Sequence, residues 1–123
     1  MTKLARYLFG IGAVTNIATR TINGHSWYMA SDICQLLGIA NHSQAVHNSR
    51  EDNLKPLESE WRKESIYIGG YGKKKVLLVN NGGMLKLIYQ AKTPAALAVQ
   101  ELIRGIPEHL IPEEWADYFT EKD

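Results

Sequence analysis

Apolar positions along the chain change period several times, and the changes divide it into short elements. Residues 1–14 are largely apolar and fit a short helix or a buried strand. Residues 18–22 alternate loosely, Asn23-Gly24 is a strong hairpin turn, and residues 26–29 return as a second strand. The period then lengthens. Ile33, Leu36 and Leu37 stand i, i+3, i+4 and form one helix face. Ala30 or Ser31 is placed to cap that helix, with Asp32 in its first turn, where a carboxylate is favoured. Gly38 is placed to stop it. Asn41 is placed to cap a second helix over residues 42–49 that buries Ala45 and Val46. Its other face shows Ser43, Gln44, His47, Asn48 and Arg50.

Residues 51–64 carry charges of both signs and Pro56, and read as a polar loop anchored by Trp61. Residues 65–68 read as a strand. Gly69, Gly70 and Gly72 turn the chain around Tyr71, Lys73, Lys74 and Lys75 stand at the hairpin tip, and residues 76–79 return. Asn80 and Asn81 cap a helix buried through Met84, Leu85, Leu87, Ile88 and Ala91, with Lys86 and Lys92 outside or near its end. Thr93-Pro94 opens another helix in the preferred way, with Ala95, Leu97, Ala98, Leu102 and Ile103 as its buried face and Gly105 at its end. Pro112 opens a last short helix over residues 113–119, with Trp115, Tyr118 and Phe119 as its apolar face. The sum is an α+β fold of small β-hairpins packed with helices, including a helix-turn-helix-like pair.

With 123 residues, 45% hydrophobic and 22% charged, the chain fits one globular domain with a real core. A single Cys34 excludes an internal disulfide and reads as a buried, inert thiol. The four histidines form no zinc spacing with it, and no metal or cofactor is expected. Residues 1–100 hold 12 Lys or Arg against 6 Asp or Glu, whereas residues 101–123 hold 2 against 7. A basic body with an acidic end fits a nucleic-acid or protein partner, and equally a solvated C-terminal helix. No apolar run approaches the roughly 20 residues of a membrane-spanning helix. Residues 7–14 resemble a short signal peptide only faintly, because two glycines interrupt them and no cleavage site follows. A cytoplasmic location is expected.

The polar second helix suits DNA. Gln and Asn pair the edge of adenine, and Arg reaches guanine or phosphate. The lysine tip suits a phosphate backbone, where each neutralised charge releases a counterion, and it also guards a strand edge against pairing. Ser43, Gln44, His47, Asn48, Arg50, Lys73, Lys74 and Lys75 are therefore the candidate DNA contacts. The run Gly69-Gly70-Tyr71-Gly72 opens no helix and matches neither nucleotide-binding fingerprint. Trp115, Tyr118 and Phe119 with Glu113 and Glu114 form a candidate protein-binding surface, one or two of these aromatics being expected in the core instead. No nucleophile–base–orienter set is present, and His42 and His47, five apart, share no helix face. The chain is not expected to be an enzyme.

From about residue 18 to residue 115 the chain resembles the Bro-N domain, the amino-terminal domain of phage antirepressors and baculovirus BRO proteins. The resemblance rests first on the aromatic pair Trp27-Tyr28 followed by Ala30-Ser31-Asp32-Ile33-Cys34-Gln35-Leu36-Leu37-Gly38, and on Asn41 with Ala45-Val46. It rests second on residues 79–96, from Val79-Asn80-Asn81 through Met84-Leu85-Lys86-Leu87-Ile88 to Lys92-Thr93-Pro94-Ala95-Ala96. The chain departs from the pattern at Asn81, where family members usually carry Glu. It departs again over residues 99–112, which keep the hydrophobic pattern without the family's tryptophan and final arginine. The resemblance implies an antirepressor-like phage regulator that binds double-stranded DNA as a homodimer. The alternative is an inhibitor that captures a repressor or host factor. Many antirepressors carry a second domain after Bro-N. This chain reads as a stand-alone Bro-N unit over residues 1–112 with an acidic tail over residues 113–123.

Overall fold

The structure is a computed structural model and describes residues 2–10, 19–47, 54–67, 70 and 72–116. The described part of the first apolar stretch is a helix, α1 (Lys3–Phe9), whose N-terminus is capped by Thr2: its hydroxyl accepts from Ala5 N at 3.1 Å. Strands β1 (Thr19–Ile22) and β2 (His25–Met29) follow as an antiparallel hairpin. Asn23 and Gly24 both take positive φ, 53° and 82°, as a two-residue primed turn requires. Helix α2 (Ala30–Leu37) leaves β2 directly. Its N-cap is Met29 with no side-chain bond, so neither Ala30 nor Ser31 caps it; Ala30 lies inside the core. Gly38 closes α2 in the left-handed region, and helix α3 (His42–His47) follows.

A single 3-10 turn at Glu58–Glu60 leads into β3 (Trp61–Tyr67), which pairs antiparallel with β4 (Lys73–Asn80). β4 also pairs with β2, joining the hairpins into one antiparallel sheet of order β1-β2-β4-β3. Helices α4 (Asn81–Gln90) and α5 (Pro94–Arg104) complete the fold, with Asn80 and Thr93 as their N-caps. The described residues thus form a mixed α+β unit of five α-helices and a four-stranded sheet.

One face of the sheet, through Tyr28 and Val79, packs on the helices. Ile33, Leu37, Val46, Met84, Leu87 and Ile88 are among the buried side chains there. The opposite face carries a smaller cluster of Trp27, Val76 and Leu78, with the Arg62 guanidinium 5.5 Å from the Trp27 ring centre. Two expected faces are corrected. Helix α5 buries Ala96, Val99 and Ile103, leaving Leu97 and Leu102 exposed. Hydrogen bonds accompany that packing: Thr93 Oγ1 donates to Leu37 O at 2.5 Å, and Gln100 Nε2 donates to Ile88 O at 2.9 Å. Lys86 is buried on α4, not exposed, with its ammonium 2.5 Å from Glu60 Oε1.

The C-terminal segment also belongs to this core. Glu113–Trp115 forms a 3-10 turn against α4, and Trp115 is fully buried with its indole N–H donating to Asn81 O at 2.7 Å. Trp115 therefore closes the core and presents no ring to a partner.

Candidate nucleic-acid interface

Helix α3 is short, six residues, and its start is fixed by Asn41, whose Oδ1 accepts from Gln44 N at 3.0 Å. Ala45 and Val46 point into the core, as their spacing requires. Gln90 of α4 donates through Nε2 to Ala45 O at 3.1 Å and to Leu54 O at 2.8 Å, tying the end of α3 and the following segment to the central helix. That anchorage leaves Ser43 and Gln44 exposed and His42 and His47 half-buried. The His47 ring meets Trp61 edge to face, with centroids 4.5 Å apart and planes at 85°. Trp61 thus gives the imidazole a favourable edge-to-face partner.

The register of β3 and β4 decides which lysines face α3. Lys63 lies opposite Leu77, and Ser65 opposite Lys75. Alternation therefore puts Lys63, Lys73 and Lys75 on the α3 side and Lys74 on the other. Between α3 and this strand pair lies a cleft of about 340 Å³. Lys63, Lys74 and Lys75 border it with His42, Ser43 and His47; Met29, Val76 and Leu77 supply its apolar lining. All three lysines are exposed, and among the described residues none is ion-paired. The fold thus gathers two features more than 25 positions apart in sequence, α3 and the lysine tip, on one surface.

The candidate contacts divide accordingly. Ser43, His47, Lys74 and Lys75 border the cleft, Gln44 is exposed on α3, and Lys73 is exposed at the start of β4. Asn48 and Arg50 lie outside the described residues. Lys63, His42, Ser31 and Met29 border the cleft without having been singled out from sequence. Lys63 was legible only through strand alternation, once β3 is seen to begin at Trp61.

At the opposite end of the sheet, Glu114 is half-buried and occupied. Its Oε2 is 3.1 Å from His25 Nδ1 and its Oε1 accepts from Asn81 Nδ2 at 3.4 Å. Tyr28 donates to Asn81 Oδ1 at 2.9 Å, and burial pushes its phenol up, keeping the donated proton in place. The Thr2 hydroxyl, 3.0 Å away, donates to the Tyr28 oxygen in turn. Glu114 is thus tied into the fold, Glu113 is exposed, and Tyr118 and Phe119 lie outside the described residues. Among the described residues no group of three or more His, Cys, Asp or Glu is placed to hold a metal ion. No helix there is long and apolar enough to cross a membrane.

The sequence model of the BRO family, N-terminal domain (Bro-N), matches residues 16–107. That span runs from just before β1 to just after α5 and includes every residue bordering the cleft. No curated protein and no solved structure matches the chain.

Proposed function

The chain belongs to the BRO family through its N-terminal domain, a domain associated with regulatory, DNA-binding proteins of phages and baculoviruses, and on that premise we propose that it is an antirepressor-like regulator that binds double-stranded DNA. The observation that carries the reading is the meeting of α3 with Lys63, Lys74 and Lys75 around one cleft. In this reading α2, the turn at Gly38 and α3 act as a helix-turn-helix-like pair. Ser43 and Gln44 face base edges, with Gln suited to adenine. The lysines neutralise phosphates on the flanking backbone, which sets affinity and register without reading sequence.

So small a contact surface reaches useful specificity by pairing two half-sites. The protein is therefore read as a homodimer on DNA. The DNA reading is favoured over capture of a repressor through the C-terminal aromatics because Trp115 is buried and Glu114 is engaged within the fold.

Fluorescence anisotropy with a labelled random duplex at low and moderate salt, with solution mass recorded in parallel, tests the reading. Binding that weakens steeply with salt is expected, with two chains per duplex. Absence of binding at low salt would overturn it. Gln44→Ala is then expected to change the preferred sequence while leaving the salt dependence unchanged.

A further inference from the structure

The cleft has a shape that backbone contact alone does not call for. Phosphates of a duplex are met by exposed lysines on any open surface, and no concavity is needed. The space here, about 340 Å³, falls in the range of small-molecule sites, roughly 300–1,000 Å³. Its chemistry is also divided. On the α3 side Leu77 gives an apolar lining, His47 offers a ring packed edge to face on Trp61, and Lys63 and Lys75 bring positive charge to the border. An apolar side chain beside an aromatic ring suits a planar heterocycle. Clustered ammonium groups with no carboxylate among the cleft's lining residues suit a phosphate.

We propose that the cleft between α3 and the β3–β4 hairpin binds a nucleoside monophosphate, with its base against Leu77 and His47 and its phosphate on Lys63 and Lys75, the residues that share the α3 side of the strand pair. The site needs no DNA to form, because its lining residues are placed by α2, α3 and the paired strands β3 and β4. It bears on DNA in one respect, which rests on the duplex reading above. A bound nucleotide occupies the same lysines and so competes with duplex, making the cleft an effector site.

Isothermal titration calorimetry of the full chain with AMP, GMP, CMP and UMP, and with the matching nucleosides and inorganic phosphate as controls, tests this. At least one nucleotide is expected to saturate at one per chain. Its nucleoside and inorganic phosphate are expected to bind at least about tenfold more weakly, a difference of about 1.4 kcal/mol. The double substitution Lys63→Ala/Lys75→Ala is expected to lose at least about tenfold in nucleotide affinity while keeping the thermal midpoint, since both side chains are exposed. No binding by any of the four nucleotides, phosphate binding as tightly as the nucleotide, or unchanged affinity in the double variant would each overturn the proposal. Adding the tightest nucleotide to the duplex assay separates the two readings. Duplex binding without nucleotide binding removes the effector site and leaves the DNA reading standing. Nucleotide binding without duplex binding does the reverse.

Discussion

Changing Lys86 to Met strips the ammonium from a carboxylate that has little water to fall back on. The two side chains are 9% and 15% exposed, and Lys86 Nζ lies 2.5 Å from Glu60 Oε1. The same oxygen accepts from Leu57 N at 2.8 Å, so one backbone bond remains after the change. The other oxygen sits at the first turn of α4, 2.6 Å from where a Cβ on Gly82 would stand. There the helix dipole returns about 0.3–1 kcal/mol. Removing one partner of a buried pair costs about 3–5 kcal/mol. The net expectation for Lys86→Met is therefore about 3 kcal/mol. At about 4 °C per kcal/mol for a chain of this size, the midpoint falls by roughly 12 °C. Circular dichroism measures both, the free-energy loss by urea unfolding and the midpoint by a thermal scan. Glu60→Gln/Lys86→Met leaves no buried charge and is expected to recover most of the loss, giving a coupling of at least about 2 kcal/mol. A cost below about 1 kcal/mol for Lys86→Met, the value of an exposed pair, would refute the reasoning.

Three further outcomes follow from the packing. Gly83→Ala places a Cβ 2.6 Å from the Glu60 carbonyl oxygen and is expected to cost about 1–3 kcal/mol. By contrast Gly105→Ala, with φ −103° and nothing within 4 Å, is expected to be neutral or slightly stabilising in the same unfolding assay. Trp115→Ala removes a fully buried indole and is expected to cost about 3–5 kcal/mol, whereas Glu113→Ala at the exposed start of that turn is expected to stay within about 0.5 kcal/mol. Burial pushes the Cys34 thiol up to about 12 from an ordinary 9.0, so the folded chain keeps its proton where the unfolded chain loses it. Stability from this group is thus present below pH 9 and declines as pH rises toward 12, and a thiol reagent at pH 8 is expected to label Cys34 only as the chain unfolds.

Local chemistry made much of the fold legible. Asn23-Gly24 demanded a tight hairpin, Gly38 a helix stop and Thr93-Pro94 a helix start, and each is found there. What escaped were arrangements made by residues distant in sequence. Trp61-Arg62-Lys63-Glu64 reads as polar loop because three of its four residues are charged. In the fold it is the first half of β3: Arg62 lies over Trp27 and pairs with Glu64 at 2.5 Å, while Lys63 turns toward α3. Lys86 reads as a surface residue until Glu60 is brought to it across 26 positions. The packing of α5 brings Thr93 to Leu37 O and Gln100 to Ile88 O, partners that no helical periodicity reveals. The lysine run was legible as a basic tip, but not as the wall of a cleft. That needed the β3–β4 register and the position of α3.

The most direct measurement of the central claim is the salt dependence of duplex affinity in the wild type and in Lys63→Ala/Lys74→Ala/Lys75→Ala. Each neutralised phosphate contributes about 0.9 to the slope of log affinity against log salt. If the three lysines bordering the cleft contact the backbone, the triple variant flattens that slope by about 2–3 and binds more weakly across sequences. An unchanged slope with unchanged affinity would contradict the account, because the surface shared by α3 and the lysine hairpin would then carry no phosphate contacts.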